Sequence, residues 1–402
     1  MRDLAAHRLP PDHKLDDRSQ SRPRGMAAAR REKQGSKTRD ASGPVESSGP
    51  HRLRKLGCGS LVRGPLPEGC VRCMEGGKLV LFITGECSFR CFYCPISSEK
   101  FGFDFSFANE RPVHRFEDVL EEARLMRANG TGITGGDPLD KMERTLDWIR
   151  RLKEEFGADH HIHLYTATRL SPSQASSLAQ AGLDELRIHV PVEWWARKDD
   201  YIECLRGLEG IDMDIGVEMP AVPGRLGALE ALLRSLPSPP VKFVNLNELE
   251  FSETNYDRMT VREHITKDDE THAAAESLET ARAMLAKPWP FTLHFCTSVY
   301  KDAGQLRRRM LRRAEGVMSD FQLLTEDGTL LFGVIEGTRP EIESALSSLK
   351  VPRKEWEWDE SKARIAISPE RLEVIASRLP FPKFIVEEYP TWDRLEVERA
   401  PL

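Results

Sequence analysis

The stretch Leu79-Val-Leu-Phe-Ile-Thr-Gly-Glu-Cys87-Ser-Phe-Arg-Cys91-Phe-Tyr-Cys94 joins a short apolar run to three closely spaced cysteines. The apolar residues 79–83 are typical of a buried β-strand. The cysteines that follow have the spacing C-x3-C-x2-C, so their thiolates share one loop and can converge on a single inorganic centre. They supply only three ligands, whereas a closed cubane or a structural zinc site takes four. The spacing therefore predicts a cluster with one iron open to another ligand.

This loop resembles the signature of the radical S-adenosylmethionine (SAM) superfamily, in which an aromatic residue, here Tyr93, precedes the last cysteine. The resemblance implies a [4Fe-4S] cluster on Cys87, Cys91 and Cys94 whose open iron chelates the amino and carboxylate groups of SAM. It also implies that SAM is cleaved reductively to methionine and a 5′-deoxyadenosyl radical. The electron would come from a donor such as ferredoxin or flavodoxin. The alternative is half a zinc site or three unrelated thiols.

Length and composition limit the number of domains and the class of protein. The chain has 402 residues, which predicts one large domain with additions or two domains. Its 8 cysteines do not form the pattern of a disulfide framework, and the N-terminus lacks a signal-peptide layout. No apolar run approaches the length of about 18 residues that a membrane span needs. We therefore expect a cytoplasmic protein that does not cross a membrane.

Charge is distributed unevenly along the chain. Residues 1–55 carry 14 Lys and Arg against 7 Asp and Glu, whereas the remainder carries 44 against 57. The first 50 residues are also poor in bulky apolar groups, so we expect residues 1–55 to be a disordered basic extension. A later start, such as Met26, would leave part of it untranslated. The other interpretation is an arm that attracts RNA.

From Lys78 onward, apolar strands alternate with amphipathic helices, and repeated βα units predict a parallel sheet. The predicted strands are 78–84, 131–135, 161–167, 184–190, 212–219, 241–249 and 290–296. The predicted helices are 116–129, 141–156, 172–181, 197–208, 226–235 and 271–286. Six or seven such units predict an α/β fold, a partial parallel (β/α) barrel over residues 78–317. The radical SAM core is a partial barrel of about this size.

Residues 318–402 have a different order of predicted strands and helices. Two strands flank the turn Asp327-Gly328, and the order β-β-α-β-β-α-β predicts a small α+β domain. We expect this domain either to cover the barrel mouth or to bind a partner, and the sequence leaves both roles open.

Gly135-Gly136-Asp137-Pro138 closes the second predicted strand. Two glycines allow a ligand to approach the backbone, and a carboxylate can pair with an ammonium group. Radical SAM proteins have a GGE-type motif at this place that binds the SAM amino group, so the resemblance implies that Gly135, Gly136 and Asp137 contact SAM. Here Asp replaces the commoner Glu. By itself, the string is a turn.

Further strings resemble glycyl-radical-enzyme activases, and in particular archaeal proteins related to pyruvate formate-lyase activating enzyme. They lie near residues 132–138, 216–224, 241–250, 245–255 and 292–309 and include the turn Val222-Pro-Gly224. This analogy makes His189 and Glu218 candidates for contacts to the ribose or adenine of SAM. The other interpretation is that both are polar residues satisfied inside the barrel.

Strand alternation puts Asn245 and Asn247 on one face and Glu248 on the other. The two asparagines lie near the end of a barrel strand, where such folds keep functional groups, so we expect them to line the substrate cavity.

Three more cysteines precede the barrel, in a segment at residues 56–77. Cys70-Val-Arg-Cys73 is a C-x2-C knuckle flanked by glycines, which favours metal binding, either as a second iron–sulfur cluster or as zinc. The ligand set is incomplete; Cys58, His294 and Cys296 are candidates for the rest. Straightforward topology, however, places Cys73 and Cys296 at opposite ends of the barrel, about 20 Å apart.

Cys296 and Cys204 can also be interpreted without a metal. Cys296 is then an active-site thiol or a buried strand cysteine. Cys204, in a predicted helix, is interpreted as a packed thiol.

Two alternatives to an activase-like radical SAM enzyme follow from the sequence. Arg307, Arg308, Arg309, Arg312 and Arg313 offer a patch for phosphates, and the archaeal tricyclic tRNA-base synthases also have extra cysteines before the SAM motif, which favours an enzyme that modifies an RNA base. The other alternative is a non-catalytic iron–sulfur or zinc protein that senses redox state. The substrate, protein or RNA, is left open by the sequence.

Overall fold

The computed structural model describes residues 52–269 and 271–402, so the predicted extension at residues 1–55 lies almost entirely outside the described residues. The α/β class is confirmed, with a large sheet of mostly parallel strands and a second, smaller sheet at the C-terminus. Among the described residues, no helix is both long enough and apolar enough to cross a membrane.

In the described part of the chain the strands are β1 (Leu53–Lys55), β2 (Leu61–Arg63), β3 (Lys78–Phe82), β4 (Phe107–Ala108), β5 (Arg111–Pro112), β6 (Gly130–Thr134), β7 (His161–Thr166), β8 (Glu185–Ile188), β9 (Asp214–Ala221), β10 (Val241–Glu248), β11 (Thr292–Cys296), β12 (Leu323–Leu324), β13 (Leu330–Glu336), β14 (Trp356–Asp359), β15 (Arg364–Ile367), β16 (Lys383–Glu388) and β17 (Glu396–Pro401). The α-helices there are α1 (Glu68–Met74), α2 (Phe116–Leu125), α3 (Met142–Phe156), α4 (Pro172–Ala181), α5 (Asp199–Arg206), α6 (Leu226–Ser235), α7 (Tyr256–Thr260), α8 (Ser277–Leu285), α9 (Arg307–Val317), α10 (Arg339–Ser348) and α11 (Pro369–Ile375). A π-helical segment, Tyr300–Leu306, leads into α9.

The large sheet is an open, partial barrel. In the described residues its order is β1-β2-β11-β10-β9-β8-β7-β6-β3-β4-β5. Strands β3 and β6 to β11 run parallel and in chain order, as repeated βα units require. Strand β2 adds antiparallel to β11 at one edge, and β4 adds antiparallel to β3 at the other. The seven predicted strands are therefore the seven parallel strands of the structure.

The helices pack their apolar faces on the outside of this sheet. In α2, for example, Val119 and Ala123 are fully buried, together with Met126 just after the helix, as their helical spacing predicts. The predicted helix at 271–286 is shorter in the structure, because Ala273 and Ala274 form isolated β-bridges and the helix begins only at Ser277.

Cys70 and Cys73, which the sequence predicts to form a glycine-flanked knuckle, lie in the helix α1. Its Gly69 sits against Glu185, Arg187 and His163, where an added Cβ would lie 2.7–2.8 Å from their side-chain atoms. Only a residue without a side chain allows the helix to approach the inner face of the sheet this closely. Helix α1 thus enters the space that the barrel encloses.

The C-terminal module contains the predicted β-β-α-β-β-α-β order and one more strand, β17. In the described residues its sheet has the order β14-β15-β13-β16-β17, with β12 paired to β13. Side chains alternate along β13, so that Ile335 packs against α10 and α11 while Phe332 and Val334 pack with Ala314 of α9. Both faces of the sheet are covered.

Candidate functional site

A cavity of about 500 Å³ lies inside the barrel. The three cysteines of the loop after β3 line it, as do side chains from the inner faces of β7 to β11 and from α1. The residues whose function the sequence predicts and that line the cavity are Cys70, Cys73, Cys87, Cys91, Tyr93, Cys94, Gly135, Gly136, His189, Glu218, Asn245, Asn247, His294 and Cys296. Asp137 and Cys58 do not line it.

The cysteine loop is held from two sides. Within it, the Cys94 amide donates to the Cys91 carbonyl at 3.2 Å. From outside, the guanidinium of Arg258 in α7 donates to the Cys91 and Cys94 carbonyls at 3.2 and 3.3 Å. All three thiols are free. The backbone is therefore fixed while the sulfurs are left for a ligand.

The donor set fits a cluster. Burial raises the pKa of Cys87 to about 11 and that of Cys91 to about 12, so a metal must displace the protons of both thiols. Among the described residues, no three His, Cys, Asp or Glu side chains are close enough together to hold one metal ion. In a cubane each cysteine binds a different iron, so the sulfurs stand apart around the cluster. Three separate thiols on one cavity wall suit that geometry better than a single zinc ion.

The glycine pair connects β6 to the cysteine loop. The Gly136 amide donates to the Thr84 carbonyl at 2.6 Å, and the Asp137 amide donates to the Glu86 carbonyl at 2.9 Å. An added Cβ on Gly136 would lie 2.0 Å from the Glu86 carbonyl oxygen. Glycine is thus required where the segment that leads into the loop crosses the end of β6.

Asp137 faces away from the cavity. One carboxylate oxygen accepts from the Leu139 amide (3.0 Å) and the Thr166 hydroxyl (2.7 Å). The other accepts from the Ala167 amide (2.9 Å) and from the amide and hydroxyl of Thr168 (3.0 and 3.1 Å). With 1% of its surface exposed, the carboxylate has no free side for a ligand ammonium. In this geometry it fixes the loop after β7 through Ala167 and Thr168.

Tyr93 and His189 form a hydrogen-bonded pair on the cavity wall. The His189 Nδ1 contacts the Glu218 carbonyl oxygen at 2.8 Å, which makes that nitrogen the donor. The Nε2 is then the acceptor for the Tyr93 hydroxyl at 2.7 Å. Burial lowers the pKa of His189, which agrees with this neutral tautomer. The pair fixes the aromatic residue of the cysteine motif.

Glu218 stands at the centre of the polar network of the cavity. It accepts from Arg187 (2.8 Å), from Asn245 (3.0 Å) and, at its other oxygen, from Asn247 (2.8 Å). Burial tends to raise the pKa of this carboxyl, but the Arg187 charge and the amide donors outweigh burial and lower it. The site thus contains a charged carboxylate held by three donors. Glu248 faces the other side, as predicted, and accepts from the amide and hydroxyl of Ser298.

The topological objection to a shared environment for Cys73 and Cys296 is wrong. Both line the cavity, because α1 folds up into the barrel and does not stay below the first strand. The Cys70 sulfur lies 3.7 Å from the Nδ1 of His294 on β11. The Tyr300 hydroxyl, just after β11, donates to the Met74 carbonyl at the end of α1.

The two remaining cysteines lie elsewhere. Cys58 is exposed, and its carbonyl accepts from the Thr297 hydroxyl at 2.8 Å. Cys204 in α5 donates to the Leu170 carbonyl at 3.3 Å, which agrees with a packed thiol.

Sequence reasoning missed several polar residues of the cavity, among them Lys78, Tyr165 and Lys301. Lys78 donates to the Tyr165 hydroxyl at 3.4 Å, and Arg187 donates to the same hydroxyl at 3.2 Å. The only signal in the sequence is a lysine at the start of an otherwise apolar strand.

Each arginine of the predicted patch donates a hydrogen bond within the protein, although Arg307 and Arg308 are exposed. Arg313 is buried and forms two hydrogen bonds of 2.8 Å with Glu122. Arg309 donates to Asn109, Arg307 to the Glu326 carbonyl, Arg308 to the Met74 carbonyl, and Arg312 to the Arg127 carbonyl. These arginines join α9 to its neighbours.

Known proteins resemble this chain in the region that contains the cysteine loop. Residues 81–193 match the family model "Radical SAM superfamily", and residues 328–402 match "Domain of unknown function (DUF8061)". A protein of Methanocaldococcus jannaschii, named "Putative glycyl-radical enzyme activating enzyme", is 38% identical over 84% of this chain and 93% of its own length. A GTP 3′,8-cyclase of Sulfurovum is 28% identical over 35% of this chain and 44% of its own length.

Among solved structures, that of methylornithine synthase covers 55% of this chain and 70% of its own, with a TM-score of 0.37 and 10% identity. The cysteine loop, its place after the first parallel strand and the extent of the M. jannaschii match together identify the family. The chain belongs to the radical SAM superfamily and is an enzyme of that type.

Proposed function

We propose that this protein binds a [4Fe-4S] cluster through Cys87, Cys91 and Cys94 and cleaves SAM to start a hydrogen abstraction in the barrel cavity. The observation that carries the proposal is the common cavity, in which three free thiols share an enclosed space with a buried polar network. When bound, the cluster supplies one electron to SAM, which releases methionine and a 5′-deoxyadenosyl radical.

The residues of the chain hold and orient the reactants. Gly135 and Gly136, which have no side chain to obstruct a ligand, line the wall next to the cysteine loop, so SAM contacts are proposed there. Tyr93 and His189 present a fixed, neutral surface on which the nucleoside can pack. Asp137 acts by positioning this wall, through its bonds to the loop after β7.

The substrate is proposed to occupy the part of the cavity next to Glu218. The side-chain amides of Asn245 and Asn247 both donate a hydrogen bond to this carboxylate. The side-chain oxygen of Asn247 has no partner within the described residues and can accept from a substrate. Because Glu218 is already held by three donors, it orients these groups more readily than it takes up a proton.

An activase-like reaction is the preferred outcome. The M. jannaschii relative covers most of the chain, and its printed name refers to activation of a glycyl-radical enzyme. We propose that this protein likewise abstracts a hydrogen atom from its substrate, with a ferredoxin or flavodoxin as reductant. Modification of an RNA base is less favoured, because the arginines of α9 are engaged within the protein.

The test is release of 5′-deoxyadenosine. Anaerobically reconstituted protein should cleave SAM when dithionite is added, and a variant with Cys87, Cys91 and Cys94 all replaced by Ala should not. Cys204→Ala is the matched control, because that thiol lies outside the cavity, and it should keep the wild-type rate. An unchanged rate in the triple variant would contradict the proposal, and failure of the wild type to cleave SAM would favour a redox sensor.

A further inference from the structure

On the basis of the function proposed above, we propose that Lys78 and Tyr165 bind a carboxylate or phosphate group of the substrate. Both side chains line the cavity, and neither belongs to the cysteine loop or to the glycine wall next to it. The substrate is then a molecule with an anionic oxygen group, and this group anchors it inside the barrel.

Lys78 reaches the cavity by crossing over a glycine. It is the first residue of β3, and its side chain lies on the face opposite to the buried Leu79 and Leu81. An added Cβ on Gly132 of β6 would lie 2.8 Å from the Lys78 Cδ and 3.1 Å from its Cε. The lysine stem therefore passes over β6 where no side chain obstructs it, and the ammonium donates to the Tyr165 hydroxyl on β7 at 3.4 Å.

The ammonium of Lys78 forms no ion pair with a carboxylate of the described residues. Glu218 is the only carboxylate among the described residues that line the cavity, and it pairs with Arg187 at 2.8 Å. Burial tends to lower the pKa of Lys78, but neighbouring groups, first Cys73 and then Tyr165, raise it, so the side chain is charged at neutral pH. Because charged groups inside proteins are normally paired, this ammonium favours an anionic ligand.

The other neighbours of the lysine stem do not supply its counter-charge. The same added Cβ on Gly132 would lie 2.8 Å from the His163 Nε2, so the imidazole lies beside the stem. Burial, followed by the charge of Lys78, lowers the pKa of His163 well below its ordinary value, and the ring is therefore neutral. Glu185, on the next strand, pairs with Arg187 at 2.5 Å.

Tyr165 provides a second donor beside the ammonium. Its hydroxyl oxygen accepts from Lys78 at 3.4 Å and from Arg187 at 3.2 Å. These two bonds use both lone pairs of the oxygen, so the hydroxyl proton is free to donate to a ligand. Burial raises the pKa of Tyr165, which keeps this proton on the oxygen. Two adjacent donors, one of them charged, are complementary to an anionic oxygen group.

The position of Lys78 in the barrel distinguishes this site from the SAM site. Lys78 begins β3, whereas the cysteine loop follows the end of that strand at Phe82, and roughly 13 Å separates the Cα atoms of a five-residue strand's first and last residues. The SAM carboxylate is expected on the open iron at the loop. An anion at Lys78 and Tyr165 therefore belongs to a second molecule, whose reacting hydrogen lies nearer the loop.

The experiment measures anion binding to the anaerobically reconstituted protein by calorimetry, with and without saturating SAM. The probes are inorganic phosphate, glycerol 3-phosphate and succinate, with glycerol and succinamide as their uncharged counterparts. Wild type should bind a phosphate or a carboxylate probe in the presence of SAM and neither uncharged compound. The two charged classes distinguish a phosphate from a carboxylate as the group that the site takes.

Three variants locate the binding. Lys78→Met should weaken it roughly 10- to 150-fold, since a charge-assisted hydrogen bond is lost. Tyr165→Phe should weaken it as well, because the second donor is removed. Lys354→Met changes an exposed lysine outside the cavity and should bind the probes as wild type does.

Urea unfolding without any anion gives a second measurement. Lys78→Met should raise the urea midpoint, because a half-buried charge without an ion-pair partner is replaced by an apolar chain of similar length. A lysine that only supported the fold would give a lower midpoint when replaced. Lys354→Met should keep the wild-type midpoint.

Several outcomes would overturn the proposal. They are equal binding of charged and uncharged probes, no binding of any anion, unchanged anion binding in Lys78→Met, or a lower urea midpoint in that variant. Loss of anion binding when SAM is saturating would also overturn it, because Lys78 would then serve the SAM carboxylate. A wild type that binds anions through Lys78 but does not cleave SAM would refute the proposed function and leave the anion site standing.

Discussion

Arg187 donates to the sulfur of Cys70 across 3.3 Å, so a guanidinium from β8 directly contacts a thiol from the helix inside the barrel. The same guanidinium pairs with Glu185 at 2.5 Å and with Glu218 at 2.8 Å. Its side chain is 3% exposed. One buried cation thus links the helix α1 to the polar network of the cavity.

Replacement of Arg187 by Met should destabilise the fold strongly. The variant leaves Glu185 and Glu218 buried without their cation, and removal of one partner of a buried ion pair costs about 3–5 kcal/mol. Urea unfolding of the anaerobic protein measures the loss. Arg234→Met is the control, since its ion pair with Glu230 is on the surface and is worth about 0.3–0.5 kcal/mol. A loss at Arg187 no larger than the control loss would show that the network does not depend on this cation.

Gly136→Ala should impair cluster incorporation. The new methyl group would meet the Glu86 carbonyl at 2.0 Å, so the segment that leads into the cysteine loop must move. We expect less iron bound to the loop cysteines and weaker SAM binding, as measured by iron content and by equilibrium dialysis. Gly227→Ala has no heavy atom within 4 Å of its new methyl group and should behave as wild type. Normal iron content in Gly136→Ala would show that the loop tolerates the shift.

Asp137→Asn separates a structural role from a role in binding SAM. In the variant, an NH₂ group replaces a carboxylate oxygen and cannot accept from the buried N–H groups that face it. A buried polar group left without a partner costs about 1–3 kcal/mol. We expect a lower free energy of unfolding and a SAM dissociation constant changed by less than about tenfold. Direct pairing with the SAM ammonium would instead weaken binding about 10- to 150-fold. Asp147→Asn, which changes an exposed carboxylate on α3, is the control.

The seven parallel strands were predictable because each is a local run of apolar residues between helical patterns. The prediction of strand β3 and of the cysteine loop depended on only about 16 neighbouring residues. Strand β17 was missed, because its sequence, Glu396-Val-Glu-Arg-Ala-Pro401, is mostly polar and exposed at the edge of its sheet. Propensity does not reveal a strand that is defined by pairing with β16 alone.

The candidate site was predicted in part. Asn245 and Asn247 share the inner face because strand alternation is a local property. The neighbourhood of Cys70 depends on tertiary packing, since a helix of 7 residues without an amphipathic repeat gives no sign that it enters the barrel. The orientation of Asp137 was not predictable either. The amides that donate to its carboxylate belong to Ala167 and Thr168, in a loop about 30 residues later in the chain.

Stability should decrease as the pH falls from about 6.5 towards about 4, in part because of His160. Burial, followed by the charge of Lys153, lowers the pKa of His160 from 6.5 to about 4, and its Nε2 contacts the Thr131 hydroxyl at 2.8 Å. Below pH 6.5 the unfolded chain therefore binds a proton that the folded protein does not, which favours unfolding. Over this range the imidazole contributes up to about 1.4 kcal/mol per pH unit.

The variant His160→Gln removes this one titrating group and keeps a side chain that can hydrogen-bond to Thr131. Its unfolding free energy, measured at intervals between pH 7 and 5, should fall less steeply than that of wild type, by about one proton at most. His114→Gln removes an exposed imidazole and serves as the control, with the wild-type slope expected. Equal slopes for His160→Gln and wild type would mean that His160 takes up its proton as readily in the folded protein as in the unfolded chain.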